Sequence, residues 1–416
     1  MTTQNLTAIA NEYLQKLCVE IPRRCVGSEG NRRATDFFAN IAAKNGFAVE
    51  TPGFDCIHWT HAGARLASGE GLFKAVPSPY TLGCQIKAPL AVASSVTQLE
   101  AADLAGKIVL LRGEIAKEQL MPKNFTFYNP DEHKRIVAIL ESKQPRAIVA
   151  ATSYNPEAAG AVYPFPLIED GDFDIPSVYM TEGEGNRLVG LVGEAISLEI
   201  KAQRAPARGC NVIARKGSDP SKRVVLFAHI DAKDGTPGAT DNATGTVVLL
   251  LLAELLADYS GMLCIEIVAM NGEDYYAAPG EMQYLERNAG KFEQIVLGIN
   301  LDGVGYHLGR TAFSLYECPP QAAELIRQVF ARHAELIEGE SWYQGDHGLF
   351  LMNQIPSLAI TTENFVDLLT HIAHTPKDSA GIVDAVKLAK TALALHNLLV
   401  EMDRRRASLF RDQISI

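Results

Sequence analysis

Short, almost uninterrupted apolar runs alternate with longer amphipathic ones over the second half of the chain. RVVLFAHI, MLCIEIVAM, QIVLGINLDG, TAFSLYE and IPSLAIT read as strands. The first two are largely apolar throughout, as expected of strands buried on both faces. TGTVVLLLLAELLADY lies between them and is long enough for a crossover helix. QAAELIRQVFARHAELI and DAVKLAKTALALHNLLVEMDRR carry apolar residues at helical spacing. Strand–helix–strand alternation predicts an α/β fold, a mixed, mostly parallel sheet sandwiched by helices.

The first half divides in two. Residues 6–17 and 31–45 have helical apolar spacing, Gly46 fits a helix C-cap, and FAVE reads as a strand. From about residue 60 Gly, Pro and Ser become frequent and short strand-like runs appear, in GKIVLLRG, RAIVAATS and DIPSVYMT. The pattern predicts one domain from residues 1–61 and 206–416, with residues 62–205 inserted as a β-rich module.

Composition narrows the function. The 416 residues carry a net charge of −11 and no dense Lys/Arg stripe, which argues against a nucleic-acid partner. The first residues lack the basic and apolar regions of a signal peptide. The apolar run Thr246–Ala253 is far shorter than the ~20 residues that cross a bilayer. A cytoplasmic protein without a membrane partner is the expectation. The seven cysteines are widely spaced without a CxxC, so reduced thiols are expected rather than a disulfide framework.

Most of the metal-type side chains of the second half fall where strands should end. In open α/β sheets that edge is where ligands bind. His229 and Asp231 stand two apart in VVLFAHID and share a face in extended chain. His229 is the candidate metal ligand. Asp231 is the candidate buttress on its second ring nitrogen, since ligating histidines commonly donate to a carboxylate; a solvent-facing pair is the alternative. Asp241, in GATDNATG, either caps the following helix or is a carboxylate shared by two metals, which sit ~3.5–4 Å apart in two-metal hydrolases. Glu273 and Asp274 follow a buried strand. Adjacent side chains diverge, so Glu273 is assigned as general base and Asp274 as ligand, against an exposed acidic turn. Asp302 ends QIVLGINLD as a functional acid or a cap. In HIAHTPKDS, His374 is favoured over His371, with Lys377 and Asp378 placed to orient it. In GDHGLF, Asp346 fits a helix cap. His347 and nearby Tyr343 are candidates to lie over the site, Tyr343 as an oxyanion donor.

In order, HID, GATDNATG, GED, NLDGVG, GDH and HTPKD resemble the motifs of the co-catalytic zinc aminopeptidase family, which includes aminopeptidase Y, bacterial leucyl aminopeptidase and glutamate carboxypeptidase II. The resemblance covers residues 207–400 and the opening helices. Residues 62–205 look like that family's inserted protease-associated domain. The resemblance implies a zinc exopeptidase fold and two Zn2+ ions. It implies one ion on His229 and Asp302, the other on Asp274 and His374, with Asp241 between them. It further implies Glu273 as the base, a cis peptide after Asp241, and a peptide substrate cut by an aminopeptidase. Two features depart from the family pattern: Asp274 stands where Glu is usual, and DYYAAPGEMQYL replaces a glycine-rich loop. A carboxypeptidase, an inactive receptor-like module and a glutaminyl cyclase-like acyltransferase are the alternatives on the same scaffold.

Overall fold

The computed structural model describes residues 1–69, 71–343 and 345–409. The chain forms two compact units, residues 1–56 with 208–416, and residues 57–207. The breaks fall inside two long strands, Gly53–Ser68 and Ala195–Cys210, so no Gly/Pro linker marks them. They lie slightly outside the expected 62–205.

The first unit is built on one mixed sheet. Its strands are β1 (Ala48–Glu50), β2 (Val212–Lys216), β3 (Asp219–His229), β4 (Leu263–Met270), β5 (Ile295–Leu301), β6 (Thr311–Tyr316), β7 (Leu336–Glu338) and β8 (Ser357–Thr362). They lie in the order β1-β2-β4-β3-β5-β8-β6-β7. The four central strands, β4, β3, β5 and β8, are mutually parallel. Antiparallel pairs flank them. All residues of β4 and β5 are buried, which is what their unbroken apolar runs require.

Seven of this unit's helices bear on the argument: α1 (Thr3–Leu14), α2 (Glu29–Lys44), α3 (Thr244–Leu255), α4 (Pro279–Asn288), α5 (Pro320–Phe330), α6 (His347–Leu351) and α7 (Phe365–His371). A last helix, α8, runs over Ala385–Leu409. The crossover helix α3 is buried from Thr244 to Ala253, on every side. Its all-round apolar sequence is explained by that position. Ser28 starts α2 by accepting the Asn31 N–H, and Gly46 follows its end at φ 76°.

The second unit has its own sheet. Strands Cys84–Ala93, Ile108–Arg112, Ala147–Thr152 and Ser177–Thr181 run parallel at its centre. Ile108 and Leu110 enter one core while Val109 and Leu111 enter another, as alternation across a strand dictates. It also contains the helix Asp131–Lys143, which buries Ile136, Val137 and Leu140. Helices therefore share this unit with its strands.

Among the described residues, no helix is long and apolar enough to cross a membrane.

Candidate metal centre

Parallel strands bring their carboxyl ends to one edge, and the site is assembled there. His229 is the last residue of β3. Glu273 and Asp274 lie just beyond β4, and Asp302 directly follows β5. His374 lies beyond α7 with φ 60°. Asp241 sits in the turn that enters α3, in non-helical backbone at φ −125°. The Asp241–Asn242 peptide is cis, as the resemblance implied.

Asp241 does not cap α3; its neighbour does. The Asn242 side chain accepts the Gly245 N–H at 3.0 Å and donates to the Leu301 carbonyl at 2.7 Å. The Asp241 carboxylate is thereby free to face two histidines. Its Oδ1 lies 3.0 Å from His229 Nε2 and its Oδ2 lies 3.0 Å from His374 Nε2. Asp274 Oδ1 is 3.2 Å from His374 Nε2. Glu273 Oε2 is 3.9 Å from His229 Nε2. One ligand atom each from His229, Asp241 and Asp274 fall within 4.8 Å of one another.

The supports of this cluster are also built in. Asp378 is fully buried and accepts from Thr240 N (2.7 Å), Thr240 Oγ1 (2.7 Å) and Asp241 N (3.0 Å). It braces the Asp241 turn, where the sequence suggested a partner for His374. Asp231 lies 3.9 Å from His229 Nδ1, beyond hydrogen-bond reach. Its oxygens instead accept from Gly272 N (2.7 Å) and Asp274 N (3.1 Å). The expected buttress thus shapes the loop that presents Glu273 and Asp274. Buried Arg24 donates to the carbonyls of Leu17, Ile230, Pro237 and Gly238. It clamps both ends of the loop between His229 and Asp241, and no sequence pattern announced it.

A cavity of about 180 Å³ opens on the cluster. Asp241, Glu273, Asp302 and His374 give it a polar floor, and Phe365, Leu368, Leu369 and Ala373 an apolar wall. His347 does not reach it as expected. It is fully buried, with Nε2 2.8 Å from the Trp342 carbonyl and Nδ1 3.4 Å from Asn300 Nδ2. Tyr343 is 75% exposed and packs its ring edge-on against Tyr316. His371 is exposed and pairs with Asp367 on its own helix.

Two further acids act electrostatically on Glu273 and its neighbours. Asp346 is 4% exposed, precedes α6, and makes no capping bond. Glu281, in the first turn of α4, is 8% exposed. Burial pushes both carboxyls up, Glu281 to about 7, with Glu281 adding to the rise at Asp346.

Electrostatics separates the roles of the cluster. Burial would raise the Asp241 pKa, yet His374 and His229 hold it well below the usual carboxylate range. Burial would lower His229 and His374, but the surrounding carboxylates raise both well above the ordinary value. Burial pushes Glu273 well up, with Asp274, Asp346 and Asp241 adding to the rise. Asp302 is pushed up to about 8 by burial, and Asp231 to about 6. Such a crowd of buried acids is stable only with protons or cations among them.

The donor set fits a divalent metal. Neither ring nitrogen of His229 has an aligned hydrogen-bond partner, although both are buried. Imidazole and carboxylate are zinc-type ligands, and ligand atoms ~2.0–2.2 Å from one tetrahedral ion stand roughly 3.3 Å apart. The separations of 3.0 and 3.2 Å between histidine and carboxylate are close to that spacing.

Fold and site together define an α/β protein with a histidine–carboxylate centre at the carboxyl edge of its sheet. Residues 211–399 match the model of Peptidase family M28. The chain is similar to that family over this segment, a little under half of its length. It is 22% identical to the "probable leucine aminopeptidase 2" of Aspergillus oryzae over 326 residues, 73% of this chain and 62% of that one. It is 25% identical to the corresponding Aspergillus fumigatus protein over 327 residues, 73% of this chain and 61% of that one. The matches thus span about three fifths of the length of these curated relatives. The fold is similar to that of an aminopeptidase from Aneurinibacillus sp. strain AM-1, with a TM-score of 0.73 and 19% identity, covering 96% and 93% of the two chains. It is likewise similar to BSAP, a zinc aminopeptidase from Bacillus subtilis, with a TM-score of 0.73, 20% identity, and 95% and 94% coverage.

Proposed function

We propose that this protein is a zinc-dependent aminopeptidase that removes N-terminal residues from peptides. One observation carries the reading: the two oxygens of Asp241 each lie 3.0 Å from a different histidine. A carboxylate so placed would serve two ions at once. His229 and Asp302 would hold one zinc, Asp274 and His374 the other, with Asp241 shared.

Zinc bound there would polarise the scissile carbonyl and make hydroxide available near neutral pH. Glu273 takes the proton of the attacking water and returns it to the leaving amine. It lines the cavity, and burial raises its pKa. The 3.9 Å gap to His229 leaves its carboxylate beside the ligands without being tied to them. Asp231, through Gly272 and Asp274, holds the loop that carries both acids.

Substrate preference follows from the cavity. Its wall of Phe365, Leu368, Leu369 and Ala373 suits an apolar first side chain. Tyr343 precedes the cavity-lining Gly345 by two positions, and we keep it as the candidate oxyanion donor, supplied on substrate binding. Residues 62–205 are read as an inserted protease-associated-like domain, a reading supported by the separate sheet and cores of the unit 57–207.

The test compares Leu-Ala-Ala with its N-acetylated form, with zinc and with chelator. The free peptide should lose leucine only with metal, and the acetylated one should survive. Equal cleavage of both, or cleavage in chelator, contradicts the reading.

A further inference from the structure

The loop between His229 and Asp241 delivers a cation to the centre that the mechanism does not use. Arg24 fixes this loop at Ile230 on one side and at Pro237 and Gly238 on the other. Between those anchors, Lys233 meets Asp274 at three points. Its backbone N–H donates to Asp274 Oδ2 at 3.1 Å. Its ammonium donates to the Asp274 carbonyl at 3.3 Å. The same ammonium stands 3.9 Å from Asp274 Oδ1, the oxygen that also faces His374 at 3.2 Å.

Asp274 therefore has few lone pairs left to give. Oδ2 is engaged by a main-chain amide, and Oδ1 lies between an imidazole and an ammonium. A divalent ion entering between Asp274 and His374 must share Oδ1 with a fixed positive charge a few ångströms away. Like charges at that separation repel strongly where water is scarce. A lysine also differs from a ligand in kind: it holds the carboxylate when no metal is there and opposes the metal when it arrives.

We infer that Lys233 is a resident counter-ion of Asp274 that weakens metal binding at the Asp274–His374 side of the centre. The inference rests on the two-metal reading above. Its consequence is unequal occupancy. The His229–Asp302 side fills first, and the Asp274–His374 side fills only at higher free metal, so zinc supply grades the activity of the chain.

Zinc binding by the full-length chain tests it, measured by competition with a chromophoric chelator, so that no turnover is involved. Wild type should bind two ions of distinct affinity. K233M should tighten the weaker ion at least tenfold and leave the tighter one within about twofold. K233Q, which keeps a polar end near the Asp274 carbonyl but no charge, should behave as K233M. K233R should resemble wild type. If Lys233 merely props Asp274 in place, both neutral variants will weaken the second ion instead, and the inference falls. Two ions on wild type with no tightening in either neutral variant also overturns it, leaving the two-metal reading intact. Fewer than two ions on saturated wild type overturns the two-metal reading and the inference together.

Discussion

Glu273 is separated from Asp274 by one peptide bond, yet the two acids face different groups. Asp274 faces His374 at 3.2 Å, while Glu273 lies 3.9 Å from His229 and lines the cavity. Glu273→Gln should therefore cut kcat by about 10²–10⁴-fold while zinc content stays unchanged. Loss of bound zinc in that variant, measured by elemental analysis, would reassign Glu273 as a ligand. Glu281 gives a second prediction. In the folded chain its carboxyl keeps its proton up to a pH of about 7, whereas the unfolded chain releases it near its ordinary value. The unfolded state binds fewer protons between those values, so stability falls as pH rises through them and stays lower above. E281Q removes that loss. In chelator it should stabilise the protein relative to wild type by on the order of 3 kcal/mol at pH 8 and by little at pH 4.5, in urea unfolding. An equal effect at both pH values would show that Glu281 does not titrate as its burial dictates. Histidines and acids at strand ends were visible in the sequence because their chemistry is unusual there. Arg24, Glu281 and the true partners of Asp231 and Asp378 were not. Their roles are set by backbone groups far away along the chain, which no local spacing encodes.

The turn into α3 is where local sequence and tertiary packing meet. A Cβ on Gly245 would lie 2.4 Å from the Leu301 carbonyl and 2.5 Å from Asn242 Oδ1, the bond that frees Asp241. G245A should destabilise the chain by about 1–3 kcal/mol, the usual cost of overpacking, and weaken zinc binding with it. Thermal unfolding and metal titration of that variant check both; unchanged values would mean the turn is less tightly packed than it stands. The strands of the first unit were legible because burial on both faces leaves continuous apolar runs. The helix Asp131–Lys143 stands in a segment whose Gly and Pro content predicts short strands and turns, although Ile136, Val137 and Leu140 follow helical spacing. Helix α7 leaves even less trace in the sequence. It is short, buries Leu368 alone, and supplies the cavity wall through Phe365, Leu368 and Leu369. So few turns offer little periodicity to detect.

For the molecule as a whole, the proposed centre would couple metal to stability. Its ligands would come from the end of β3, the turn into α3, and the segments after β4, β5 and α7, so an ion there would tie together segments remote in sequence. A ligand at a thousand times its Kd adds about 4 kcal/mol to the folded state. Chelation should lower the Tm and zinc should restore it, with the stronger response in the first unit. The division into sheet-based units was readable from the change in composition near residue 60. Its edges were not, because the chain crosses them within the strands Gly53–Ser68 and Ala195–Cys210. The most direct test of the account is mass spectrometry of a mixed peptide pool incubated with the full chain, first with zinc and then with chelator. The account predicts zinc-dependent shortening from the N-terminus, fastest at apolar first residues and absent in chelator. Shortening from the C-terminus, or a pool left intact in the presence of zinc, would contradict it.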